Sequence, residues 1–399
     1  MKITRLETLR VAEFPKILWL RLHTDQGLVG LGETSYAASA VETYLHDHVA
    51  PKVLGRDPLA VESLARSVQD YLGYRSSGVE TRALSALDLA LWDLFGKACK
   101  QPVYQMLGGA SRPAIRTYNT CAGYRYARDT RGQVSANWGL DGRSEGPYED
   151  LDAFLHRADE LAHSLLEQGI TAMKIWPFDT YAEASDGWHI SGPDLEKALE
   201  PFRRIRKAVG DKMDIMVEFH SLWRLPAAQK IARALAEFDT YWHEDPIRMD
   251  SLELLKQYAP HSKAPICGSE ILAGRWSFKD FLETGVAGIV MFDLGWCGGI
   301  TEARRIAALA DAWQLPVAPH DCVGPLVFAA SLHFSIWAPN ALVQESVRAF
   351  YTGWYNELVT HVPQPAKGML AAPPGPGFGC EILPEVWRRK DATVRVSPG

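Results

Sequence analysis

The sequence predicts an α/β fold, a TIM-type (β/α) barrel preceded by an N-terminal α+β capping domain. Three observations predict it. From about residue 114, short apolar segments alternate with amphipathic helical stretches, the pattern of a parallel sheet built from βα units. Eight such segments can be placed, at 114–121, 171–176, 213–219, 241–244, 265–269, 288–292, 316–319 and 341–345. From the third segment onward each closes on an ionisable residue, Glu218, Glu244, Glu270, Asp293, His320 and Glu345, at intervals of 26, 26, 23, 27 and 25 residues. That is the period of one βα unit, and it delivers each group to the same end of a barrel, where active sites of this fold lie.

The elements follow in order. Residues 3–11 and 16–24 alternate as strands, and Asp25-Gln26-Gly27 turns the chain into LVGLGE, an antiparallel meander. Glu80 to Lys100 carries apolar residues at helical spacing, and Leu107-Gly108-Gly109 ends the region. The capping domain is expected over 1–113, the barrel over 114–346, and a Pro/Gly-rich segment over 347–399 that returns to the capping domain. Two polar stretches interrupt the barrel pattern. Residues 122–150, which include Trp138, and residues 179–192 both follow strands, so both are expected on the catalytic face. No G-x-G-x-x-G follows a first strand, which argues against a dinucleotide-binding sheet.

Composition narrows the function. The 399 residues, 47% hydrophobic and 23% charged, hold a full barrel plus a smaller domain. A net charge of −6 without a basic run excludes a nucleic-acid surface. No long apolar run reads as a membrane span, and the N-terminus alternates like a strand rather than a signal peptide. The six cysteines are scattered, with no C-x-x-C, as expected of reduced thiols in a cytoplasmic protein.

A single carboxylate at a strand end is most often a helix cap or a solvated loop residue. Three glutamates on consecutive strands, each preceded by apolar residues, are another matter. They repel one another strongly and persist together only if a cation neutralises them, and an all-oxygen set suits Mg²⁺. Glu218, Glu244 and Glu270 are therefore the candidate metal ligands. His320 and Asp293 lie on neighbouring strands, where the aspartate can orient the imidazole as a base. Lys174 can neutralise developing negative charge. His220 follows Glu218 by two residues, which in an extended strand points both to one side, as substrate hydrogen-bonder or general acid. Cys267, Cys297 and Cys322 lack base partners and read as packing residues.

These residues, with HTDQGLVGLGE, SALDLALWDLFGKACKQPVYQMLGG, FDLGWCGGITEARRIAALADAWQLPVAPH and PGPGFGCEI, resemble the enolase superfamily, in particular its mandelate racemase-like subgroup with its acid-sugar dehydratases. The resemblance implies that Glu218, Glu244 and Glu270 bind Mg²⁺. It also implies that Asp293 and His320 form the base dyad and that His320 removes an α-proton. Glu345 corresponds to an acid contacting the enediolate, and Lys174 to the first lysine of a K-x-K motif. The second lysine is Trp176 here, which disfavours two-base racemisation, and the first ligand is Glu218 where aspartate is common. E-x-H is similar to the dehydratases, in which that histidine serves as general acid. The expected function is dehydration of a 2,3-dihydroxy carboxylate, an acid sugar, to a 2-keto-3-deoxy acid. Lys174, His220 and Glu345 would contact the substrate, and either His220 or His320 would protonate the leaving hydroxyl. The alternatives are a one-base epimerase, racemase or cycloisomerase, and a catalytically silent metal- or ligand-binding protein. Substrate selection is expected near Tyr36, Tyr74 and the 122–150 stretch, and the resemblance implies a homo-oligomer.

Overall fold

The architecture comes from a computed structural model, which describes residues 1–70, 76–126, 134–135 and 146–399. Tyr74, Trp138 and most of the 122–150 stretch lie outside the described residues. Strands β1 (Ile3–Val11), β2 (Ile17–Thr24) and β3 (Val29–Ser35) form an antiparallel meander, and the C-terminal strand Ala392–Pro398 pairs with β1 at its free edge. The helix Val79–Cys99 packs across β3. The approach is close: a Cβ on Gly32 would stand 2.0 Å from the Ala86 carbonyl oxygen, which is why β3 reads VGLGE.

Eight parallel strands follow: β4 (Ile115–Thr120), β5 (Ala172–Ile175), β6 (Asp214–Glu218), β7 (Trp242–Glu244), β8 (Ile266–Gly268), β9 (Ala287–Asp293), β10 (Val317–His320) and β11 (Gln344–Ser346). Their order runs β10-β9-β8-β7-β6-β5-β4-β11, and a Val317–Ala341 bridge brings the two ends together into a nearly closed barrel. Inside lie Tyr118, Met216, Trp242, Cys267, Met291 and Val343, a packed core and not a channel. The helices Gly192–Val209, Leu225–Leu235, Gly274–Glu283, Gly299–Ala312 and Pro325–Trp337 cover the outside. Of these, Leu225–Leu235 buries Ala228, Ile231, Ala232 and Leu235 at helical spacing. Among the described residues, no helix is long and apolar enough to cross a membrane.

The capping sheet is fastened to the barrel mouth by buried polar contacts. Glu33 accepts hydrogen bonds from Trp19 Nε1 (2.7 Å) and from the backbone N–H groups of Leu326 (3.3 Å) and Val327 (2.9 Å), so a capping-domain carboxylate closes the N-terminus of a barrel helix. Thr34 donates to the Gly295 carbonyl at 2.7 Å, and Trp296 donates to Ser35 Oγ at 2.9 Å. These contacts bring the next residue, Tyr36, over the C-terminal ends of the barrel strands.

Candidate active site

The three glutamates converge. Glu218 ends β6, Glu244 ends β7 and Glu270 follows β8, and one carboxylate oxygen from each lies within 4.8 Å of the others. Their donor set is entirely carboxylate oxygen, fitting a hard divalent cation. Their charge is only partly met from within the protein. Lys174 Nζ lies 2.8 Å from Glu244, 2.9 Å from Glu345 and 3.5 Å from Glu218. Among the described residues the buried Glu218 Oε2 has no hydrogen-bond donor, its nearest cation being Lys174 at 3.5 Å. Burial lifts the Glu218 carboxyl to about 7 despite Lys174. Burial and the Glu218 charge raise Glu244 well above the carboxylate range. Burial also acts to raise Glu270, but His320, His220 and Lys174 outweigh it and hold that carboxyl at about 2. Carboxyls that keep protons here are ones a divalent cation would displace them from, so the residues fit a metal.

His320 ends β10 beside Asp293, which ends β9, and its Nδ1 is 2.8 Å from Asp293 Oδ2. Asp293 is itself fixed, because Oδ1 accepts from the Gly295 N–H at 2.6 Å. His320 Nε2 points the other way, 2.8 Å from Glu270. Burial alone would lower the imidazole's pKa. The carboxylates of Glu270, Glu345 and Asp293 outweigh it and raise the pKa well above the ordinary histidine value.

His220 reaches the same cavity by a route other than the expected one. The strand stops at Glu218, and His220 (φ 49°) and Ser221 (φ 57°) are left-handed, so two-residue alternation does not hold between them. A turn brings them together instead, with the His220 N–H donating to Glu218 Oε1 at 2.6 Å. His220 Nδ1 is 2.7 Å from Asp179 Oδ2. Burial lowers the His220 pKa, but Asp179 outweighs it and the net shift is upward. No sequence signal marks Asp179 as a partner. It lies in the stretch read as a polar insertion, and in the fold it begins the short helix Asp179–Ser185. Glu345 is held by its neighbours: its Oε1 accepts from Thr120 and Lys174, its Oε2 accepts from the Asp321 N–H at 2.7 Å, and Oε2 lies 4.0 Å from His320 Nε2.

A narrow cavity of about 20 Å³ lies over Lys174, His220, Glu270 and His320, and an outer cleft of about 250 Å³ shares Tyr36, His220, Glu270 and Trp296 with it. The walls are aromatic. Trp176 packs on His220, Phe154 and Tyr126, and Trp296 packs on His320 and Tyr36. Cys322, read from sequence as packing, lines the cavity because the chain leaves β10 two residues earlier. Left-handed non-glycine residues gather around this cavity, at Tyr36 (φ 61°), Ala37 (φ 51°), His220, Ser221 and Asp245 (φ 42°), conformations that cost about 1–3 kcal/mol each and that cluster at functional sites. Neither Asp245 nor Tyr126 carries a sequence signal of a role, since each reaches the site through a turn.

Comparison with known proteins agrees with this geometry. Residues 9–108 match the N-terminal domain model of the mandelate racemase / muconate lactonizing enzyme family, and residues 157–386 match the enolase C-terminal domain-like model. The chain is 30% identical to a D-galactonate dehydratase of Xanthomonas axonopodis pv. citri, over 98% of this chain and 94% of that protein. It is 32% identical to a D-galactonate dehydratase family member of Streptomyces bingchenggensis, over 91% of this chain and 87% of that one. Among solved structures, an enolase of the mandelate racemase subgroup from Agrobacterium tumefaciens is 56% identical, with a TM-score of 0.89 over 100% of this chain and 99% of that one. With both halves matched and full-length relatives at this identity, the chain belongs to the enolase superfamily, in its mandelate racemase subgroup.

Proposed function

We propose that the protein is a Mg²⁺-dependent dehydratase of a 2,3-dihydroxy carboxylate, an acid sugar, giving a 2-keto-3-deoxy acid. The observation that carries the proposal is a single cavity holding two histidines, each with its own aspartate, where a racemase's second lysine is replaced by the buried Trp176. Such a site can remove a proton with one imidazole and deliver one with the other. The dehydratase names of the full-length relatives support the same direction.

Glu218, Glu244 and Glu270 would hold the cation, which when bound supplies Lewis acidity and neutralises the substrate carboxylate. His320, oriented through Nδ1 by Asp293, takes the α-proton at Nε2. That requires Nε2 to be free of Glu270, whose hold on the imidazole proton weakens once its own charge is met. Lys174, fixed by Glu244 and Glu345, presents an ammonium to the charge developing on the carboxylate. His220, held by Asp179, gives its proton to the departing 3-hydroxyl. Water is excluded by Tyr36, Tyr126, Trp176 and Trp296.

The test is incubation of the Mg²⁺-loaded protein with a panel of acid sugars, following 2-keto acid and, in D₂O, exchange of the α-proton. Turnover to a 2-keto-3-deoxy acid is expected for at least one member. Exchange without loss of water would make the protein an epimerase or cycloisomerase, and neither exchange nor turnover across the panel would end the dehydratase reading.

A further inference from the structure

Among the described residues, no carboxylate pairs with the buried ammonium of Lys16. It lies on the short connection between β1 and β2 in the capping domain and is 2% exposed. Among the described residues the ammonium donates one hydrogen bond, a long one of 3.4 Å to the Tyr126 carbonyl. Among the described residues it makes no ion pair. Two aromatic rings lie near it: Nζ stands 5.4 Å from the Tyr36 ring centre and 5.8 Å from that of Tyr126. Tyr36, Tyr126 and its electrostatic neighbour Cys322 all line the cavity over the glutamates. Burial pulls the ammonium's pKa down to about 8. A second cation flanks the same ring: Arg82 lines the outer cleft, lies over Trp296 at 4.4 Å and Tyr36 at 5.6 Å, and spends Nε and Nη1 on the Ser77 and Ser35 carbonyls. The acidic groups facing that cleft are already engaged, Glu183 by Ser135, Asp179 by His220 and Glu270 by His320.

We propose that Lys16 forms an anion subsite at the capping-domain end of the cavity, and that the substrate is an acid sugar with a second carboxylate remote from the one bound at the glutamates. This rests on the reading of the cavity as a carboxylate site. The physical reason is that a desolvated ammonium is costly unless an anion meets it. The two tyrosines supply cation–π attraction and one long hydrogen bond from the Lys16 ammonium to the Tyr126 carbonyl, weaker than a short charged pair. The substrate's far carboxylate would complete the site, passing between Tyr36 and Tyr126, with Arg82 adding to the positive field on the other flank of Tyr36. A monoacid of the same length would leave the ammonium unanswered, so the site discriminates between the two classes.

Two measurements on the Mg²⁺-loaded protein test this. The first is kcat/KM for D-galactonate and for the diacid of the same configuration, which carries a carboxylate at C6, in wild type, Lys16→Met and Lys16→Arg. Lys16→Met keeps the stem's volume and removes the buried charge, so folding is preserved. The diacid is expected to be the better substrate, to lose about 100-fold in Lys16→Met and to recover in part in Lys16→Arg, while the monoacid changes little. The second is calorimetric binding of two unreactive probes, adipate and hexanoate. Adipate is expected to bind more tightly by about 10-fold or more, an advantage lost in Lys16→Met. Monoacid turnover without diacid turnover, or equal losses for both in Lys16→Met, would remove the subsite and leave the dehydratase reading intact. A Lys16-dependent preference for adipate in a protein that turns over no acid would uphold the subsite and remove the dehydratase reading instead.

Discussion

His320 and His220 differ in what surrounds them, and that difference separates their roles. Nε2 of His320 is aimed at Glu270 and the cavity, while His220 is anchored at both its backbone N–H and its Nδ1. Removing the base should therefore stop everything downstream of α-proton removal. His320→Asn is expected to lower both α-proton exchange and 2-keto acid formation by about 10²–10⁴-fold with an unchanged circular dichroism spectrum; wild-type exchange in the variant would assign the base elsewhere. Asp179 acts through another residue and should separate the two readouts. In Asp179→Asn the imidazole keeps a hydrogen-bond partner and loses its counter-charge. α-Proton exchange is expected to persist near the wild-type rate while dehydration falls by about 10²-fold, measured by following both in one D₂O reaction. Equal losses would make Asp179 part of the binding of substrate as a whole. The pairing was out of reach of the sequence, because 41 residues separate Asp179 from His220 and only the βα crossover brings them together.

At the scale of elements, the barrel strands were legible because each is an apolar run that must be buried on both faces, recurring at a near-constant interval. Every one of the eight expected strands overlaps an observed one. What failed to show is where strands stop and turns begin, since that is set by tertiary contacts: the left-handed residues after Glu218 and the helix at Asp179–Ser185 are both held by packing against the mouth. The junction between β3 and the barrel helix Pro325–Trp337 carries a prediction of its own. Burial raises Glu33 from 4.5 to about 7, against the hydrogen bonds from Val327, Leu326 and Trp19. A carboxyl with a higher pKa folded than unfolded binds its proton more tightly in the native state. Stability therefore falls as pH rises from the unfolded value to the folded one, and above pH 7 the ionised group costs about 3 kcal/mol. Glu33→Gln, which keeps an acceptor for the helix terminus and cannot ionise, is expected to gain stability relative to wild type between pH 5 and pH 8. Thermal midpoints of both proteins at the two pH values check this, and parallel profiles would show that Glu33 does not titrate in that window.

At the scale of the whole molecule, the cavity is closed by two units that meet over a cluster of like charges. Glu218, Glu244 and Glu345 share one ammonium, Lys174, which is 2% exposed. Truncating one partner of a buried ion cluster leaves the others uncompensated, at a cost of about 3–5 kcal/mol. A cation bound at the glutamates would supply the missing charge. Lys174 and such a cation would thus share Glu218 and Glu244, and their effects on stability should not add. Wild type in chelator is expected to gain a saturable rise in thermal midpoint on titration with Mg²⁺, since a ligand at 100 times its Kd contributes about 2.7 kcal/mol. Lys174→Met is expected to melt well below wild type in chelator and to gain more than wild type from Mg²⁺. Glu270→Gln should lose most of the Mg²⁺ response, and Glu62→Gln, on the exposed face of a capping helix, should keep all of it. If the Mg²⁺ response were the same in wild type and Lys174→Met, the ammonium and the cation would not share their carboxylates, and no response in either protein would mean that the three glutamates hold a different cation or none.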